Sequence, residues 1–231
     1  MKERIYSIPL TDALNEGCGC ILCTLEKKLE QDAVTYFLGP SLMEPDNREI
    51  TNDKGFCPRH MKMLVEGNHR LGLALILETH VKEFSKKMEL KKNTGVFAKG
   101  IDTRSSAQAI LKSVKSCALC DKLNSNLRDA AGNLAYLWNA EPDFKKKFEE
   151  SGELCAEHMA LVLSVCEKEL SGKKRDEFAS TLISMQKKIL DTLYEDLHSF
   201  TLAFDYRSSG KPDEKATSSI PRAVEYLTKF E

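Results

Sequence analysis

Cys20-Ile21-Leu22-Cys23 and Cys57-Pro58-Arg59-His60 decide how this chain is read, because the same pair of motifs returns downstream. The second copy is Cys117-Ala118-Leu119-Cys120 with Cys155-Ala156-Glu157-His158. The gap between the paired motifs is 33 residues in the first copy and 34 in the second. A Cys-x-x-Cys answered by a Cys-x-x-His reads as a Cys₃His metal site, with zinc as its occupant. Pairing the motifs by proximity predicts two zinc ions per chain. Cys20, Cys23, Cys57 and His60 would hold one; Cys117, Cys120, Cys155 and His158 would hold the other. An iron–sulfur centre favours four cysteines, whereas here histidine stands in the same place twice. A thioredoxin-like dithiol needs a βαβ setting that the sequence does not offer.

The repeat extends beyond the metal motifs. A shift of 97 residues lays Asp32-Ala33 on Asp129-Ala130, Glu44-Pro45-Asp46 on Glu141-Pro142-Asp143, and Gly55 on Gly152. One inserted residue then brings Cys57, His60 and Met61 onto Cys155, His158 and Met159. Two copies at so long a period are not a solenoid. They read as two related modules. Cys18 and Cys166 fall on Lys115 and Asn68 under the same shift, so neither belongs to the shared ligand set.

Composition bounds the function classes. The chain has 231 residues, 42% hydrophobic and 30% charged, which suits one or two globular domains rather than disorder. Thirty-four basic residues against thirty-five acidic ones leave a net charge of −1, so no global field attracts nucleic acid or anionic lipid. The longest apolar run is Leu73 to Leu77, far short of a membrane span, and the first residues lack a signal-peptide pattern. The expectation is a cytoplasmic protein, whose reduced thiols favour metal over disulfides.

Apolar periodicity predicts an all-α fold, since no segment alternates as a strand would. Residues 1–19 read as an irregular lead-in. Helices are expected over 21–38, from Pro58 to about Lys92, over 107–114, 119–138 and 155–170, with short charged turns opened by Pro45 and Pro142. Phe178, Leu182, Met185, Ile189, Leu193, Leu197, Phe200 and Phe204 mark a long helix packed on another. The domain expectation is a first module over 1–95, a second over 101–206, a flexible linker over 207–219, and an amphipathic helix over 220–231 starting near Pro221.

Each Cys-x-x-Cys lies at a helix start, where free N–H groups and the helix dipole favour thiolate. Four protein ligands leave no open position for water, the mark of a structural site. Metal-bound imidazoles commonly give their second N–H to a carboxylate. The recurring Glu44, Asp46, Glu141 and Asp143 are the candidates for that role. The alternative for these acids is a proline-opened turn with carboxylates at its positive end. Arg59, Lys62 and Lys115 are placed to offset site charge. His69, His80 and His198 read as ordinary helical histidines, and the clusters Lys145–Lys147 and Lys173–Arg175 as solvated faces.

The chain resembles an uncharacterised Cys-rich helical family of Gram-positive, largely anaerobic bacteria. The resemblance rests on Ile5-Tyr6-Ser7-Ile8-Pro9-Leu10-Thr11-Asp12-Ala13, the Cys20/Cys23 pair, Leu38 to Asp46, Thr51 to His60 and Asn68 to His80. It implies a cytoplasmic bacterial protein and carries no established activity. From the residues themselves, the expected role is a zinc-stabilised scaffold or interaction module with a protein partner or a second copy of itself. No nucleic-acid, membrane or small-molecule partner is indicated. A metal- or redox-responsive regulator is the alternative, and no nucleophile–base set speaks for an enzyme.

Overall fold

The computed structural model describes residues 5–17, 19–92, 100–204 and 211–229. Among them it shows eleven α-helices and no strand. The helices are α1 (Ser7–Glu16), α2 (Ile21–Leu38), α3 (Pro45–Lys54), α4 (Pro58–Glu66), α5 (Arg70–Lys87) and α6 (Thr103–Lys115). They continue with α7 (Ala118–Ala140), α8 (Pro142–Ser151), α9 (Ala156–Val165), α10 (Gly172–Ala203) and α11 (Glu214–Thr228). None is long and apolar enough to cross a membrane.

The chain forms two compact units, and they are not the two repeats. One contains residues 1–27 and 126–231, the other residues 28–125. The expected division at 95–101 is thereby corrected. Its physical cause is that α2 and α7 are continuous helices that each begin in one unit and end in the other. Each unit is therefore assembled from segments of both repeats.

In the discontinuous unit the core gathers Leu10 and Leu14 of α1, Trp138 of α7, Phe148 of α8, Val162 of α9, and Phe178 and Leu182 of α10. Trp138 meets Phe178 edge-on at 5.0 Å, and its indole N–H donates to Glu149 at 3.0 Å, so a large ring is buried without an orphaned donor. α11 packs along α10. It starts at Glu214, because the Asp213 carboxylate caps the Ala216 N–H at 2.7 Å. The expected linker thus ends earlier than 219, and Pro221 lies inside the helix rather than at its start; residues 207–210 lie outside the described residues, as does Cys18.

The continuous unit is built on Phe37, Leu38, Leu64, Leu73, Ile76 and Leu119, with Phe37 edge-on to Phe56 at 5.5 Å. The single long helix expected after Pro58 is broken into α4 and α5 at Gly67, whose extended backbone ends α4. A Cβ on Gly67 would lie 2.6 Å from the Leu38 side chain, so the close approach needs glycine. α1, read as irregular, is a helix with Pro9 tolerated in its first turn and Gly17 closing it at φ 64°.

Candidate metal centres

Both Cys-x-x-His motifs build their helix starts in the same way. Cys57 and Cys155 are the N-cap residues of α4 and α9, with φ/ψ of −69°/165° and −70°/164°, and His60 and His158 follow in the first turn. Cys20 and Cys117 precede α2 and α7, with Cys23 and Cys120 one turn on. A backbone hydrogen bond fixes each pairing of arms. Ile21 N–H donates to Glu153 O at 3.1 Å and Ala118 N–H donates to Gly55 O at 2.9 Å. These two bonds are near-equivalents under the repeat, since residue 21 maps to 118 and residue 55 to 152, one position before Glu153, where the extra residue enters.

The eight predicted side chains gather into two clusters, but the partners are exchanged. Cys20 and Cys23 meet Cys155 and His158; Cys57 and His60 meet Cys117 and Cys120. The proximity pairing is therefore corrected. Its reasoning, that an eighteen-residue loop could return Cys57 to Cys23, only bounded the reach of the chain. Contour length permits a contact but does not select it. In each cluster the donor atoms lie within 4.8 Å of one another.

The geometry tests which group fits. Cys23 and Cys155 sulfurs are 3.8 Å apart, as are those of Cys57 and Cys120. That rules out a disulfide, whose sulfurs bond at about 2.05 Å. Four ligands placed tetrahedrally around one ion at about 2.3 Å give sulfur–sulfur edges of about 3.8 Å. His158 Nδ1 lies 3.3 Å from Cys20, 3.4 Å from Cys23 and 3.4 Å from Cys155. His60 Nδ1 lies 3.2, 3.4 and 3.3 Å from Cys117, Cys57 and Cys120. One ion suits this spacing; a cluster of several irons holds its thiolates on different metals and farther apart.

The electrostatics express the same crowding. Burial opposes charge on His158, yet Cys155, Cys20 and Glu26 around the ring outweigh it and raise its pKa to about 11. Burial also works against a Cys117 thiolate, but hydrogen bonds from His60 and the Cys120 N–H prevail and bring it down to about 6. Hydrogen bonding to Cys155 and Cys20 pushes Cys23 the other way, strongly upward. So many electron-rich atoms in so small a volume call for positive charge.

The outer carboxylates are not the ones expected from the repeat. His60 Nε2 faces Glu30 Oε1 at 2.8 Å, and Glu30 Oε2 accepts from Arg59 at 2.7 Å. His158 Nε2 lies 3.4 Å from Glu26, close but without an aligned hydrogen bond; Lys229 donates to Glu26 at 2.7 Å. Glu44 instead occupies the N-cap position of α3, with its carboxylate accepting from Tyr36 at 2.7 Å, while Asp46 sits in that helix's first turn. Glu141 occupies the N-cap position of α8 and Asp143 its first turn. These four acids serve helix starts, where the dipole favours them. Glu26 and Glu30 carry a signal that spacing could have revealed: Cys23, Glu26 and Glu30 are three and four apart, on one face of α2.

His80 donates from Nδ1 to the Asn52 carbonyl at 2.9 Å, an ordinary packing contact. Lys145 pairs with Glu177 and Lys174 with the same carboxylate, so those lysines are surface ion pairs.

A family of unknown function (DUF6062) matches residues 1–230. The chain belongs to that family. It is also 26% identical to an uncharacterized 23.9 kDa protein in the xynA 3′ region of Caldicellulosiruptor sp. (strain Rt8B.4), over 75% of this chain and 78% of that one. No solved structure matches. The resemblance read from the sequence, to an uncharacterised family, agrees with both relatives.

Proposed function

We propose that this is a cytoplasmic protein holding two structural zinc ions, one in each exchanged Cys₃His cluster, and acting through protein contacts rather than catalysis. The observation that carries the metal reading is the donor geometry: three sulfurs and one imidazole nitrogen within 4.8 Å, twice. With all four tetrahedral positions supplied by side chains, the ion would polarise no water, so its contribution is to the fold. The interaction reading draws on exposed apolar side chains such as Leu71 and Val81 on α5 and Leu111 and Val114 on α6, which suit a protein partner or a second copy. Metal analysis of protein purified without added metal tests the first part, with two zinc ions per chain expected. A colourless sample with no stoichiometric metal would refute it.

A second reading, a metal- or redox-responsive regulator, has one observation in its favour. A cavity of about 580 Å³ opens onto Cys20, Cys23 and Cys155 beneath Tyr226 and Lys229 of the C-terminal segment. Chelation separates the two readings. Loss of helical signal on metal removal supports a structural role, whereas reversible release with the helices intact supports sensing.

A further inference from the structure

We propose that the hollow bounded by α3, α5 and α6 binds a small diphosphate-bearing anion. The hollow measures about 610 Å³, and four lysines reach its lining: Lys54, Lys87, Lys91 and Lys112, against one acid, Asp53. Lys54 is paired with Asp121 at 2.5 Å and Lys87 with Asp53 at 2.6 Å. Lys91 and Lys112 form no ion pair among the described residues and meet only the longer-range fields of Asp102 and Asp53, so positive charge exceeds negative charge around the cavity. Gathering like charges around a hollow costs energy unless an anion enters it.

Three further observations point to a ligand. Ser113 belongs to the same lining, and its hydroxyl is buried with no hydrogen-bond partner, so rotation about its Cα–Cβ bond would let it donate to an acceptor in the hollow. α6 turns polar positions (Ser105, Gln108, Lys112) towards the cavity while Ala107, Leu111 and Val114 stay exposed, the reverse of what core burial selects. The repeat supplies an internal control as well. Lys54 and Lys112 fall on Ser151 and Asn15 under the 97-residue shift, so the shared framework does not require those cations.

Two hydrogen bonds tie the walls together. Ser116 Oγ donates to the Lys54 carbonyl at 2.8 Å, and the Lys91 N–H donates to Ser106 Oγ at 2.8 Å. The volume of the hollow exceeds that of a pyrophosphate group and leaves room for an organic substituent.

The test is calorimetric titration of inorganic pyrophosphate into the full chain at low ionic strength, with metal content and melting temperature measured on every sample. Saturable binding at one site is expected. Lys91→Glu and Lys112→Glu should each weaken it roughly tenfold or more, as reversal of a nearby charge does. Lys82→Glu, an exposed charge change on α5 outside this lining, should leave it unchanged. Absence of saturable binding overturns the proposal, as does equal affinity for sulfate at matched ionic strength or equal loss in Lys82→Glu. Metal content is read independently, so the zinc reading stands or falls on its own number.

Discussion

Paired serine substitutions distinguish exchanged from unexchanged metal sites by counting ions. In the observed arrangement Cys20 and Cys155 belong to the same cluster and would share an ion, whereas Cys20 and Cys57 belong to different ones. Cys20→Ser with Cys155→Ser should therefore leave one zinc per chain, and Cys20→Ser with Cys57→Ser should leave none. The unexchanged pairing predicts the reverse. The cost of each lost ion follows from the geometry. Two thiolates 3.8 Å apart repel by about 4 kcal/mol at an effective dielectric of 20, and an ion that neutralises them removes that repulsion. A typical domain has about 5–15 kcal/mol of stability in total, so losing one ion should unfold much of the unit that held it. The assay is elemental analysis of metal per chain after dialysis, read beside helical circular dichroism. One retained ion in the Cys20/Cys57 variant and none in the Cys20/Cys155 variant would refute the exchange outright.

Glu30→Gln should weaken the ion held with His60 by about 10–100-fold in competition with a chromogenic chelator, while Asp46→Asn and Asp143→Asn leave both affinities unchanged; equal effects from all three would remove the role given to Glu30. Gly55 sits at φ 59°, ψ −149°, a conformation almost confined to glycine, and a Cβ there would run into the His80 ring. Gly55→Ala should accordingly cost about 2–3 kcal/mol, read as a melting temperature lower by roughly 4–10 °C. Ending the chain at Asp213 uncovers Cys20 and Cys23. Metal release driven by a thiol reagent should then become biphasic, with one ion per chain leaving faster, and a single unchanged phase would count against a covering role for α11.

Spacing alone picks out the eight side chains that the fold gathers, because sulfur and imidazole ligands must lie three residues apart to share an ion from one helical turn. It is blind to which turn meets which. Under a duplication, Cys20 sees the same local environment whether it closes on Cys57 or on its counterpart Cys155, so only the path of α2 and α7 decides. Periodicity located α2, α6, α7 and α10 for the same reason that it missed α1: Leu10, Ala13 and Leu14 form a buried face too short to stand out beside Pro9. The break between α4 and α5 was hidden because a lone glycine, Gly67, with His69 following, interrupts an otherwise continuous apolar pattern. The histidine carboxylates were sought where the repeat placed acids, yet Glu26 and Glu30 map to Leu123 and Leu127 and lie outside the repeat's shared pattern.

The exchange changes what a metal ion in each cluster would do for the chain. An ion on Cys20 and Cys155 closes a loop of about 135 residues, against about 37 for Cys20 and Cys57; on Cys57 and Cys117 it closes about 60, against about 38 for Cys117 and Cys155. Closure entropy grows as three-halves RT times the logarithm of loop length, so the exchanged pairing restricts the unfolded chain by roughly 1.5 kcal/mol more in total. The same lengths make the pairing dependent on the whole chain. Neither repeat contains both halves of a site, so neither can close its metal centre alone, and the continuous unit holds a complete ligand set before residue 126 is reached. The cluster of Cys57, His60, Cys117 and Cys120 can thus form from local chain, whereas Cys20 and Cys23 must wait for Cys155 and His158. In the exchanged arrangement each candidate site therefore draws its ligands from both copies of the motif.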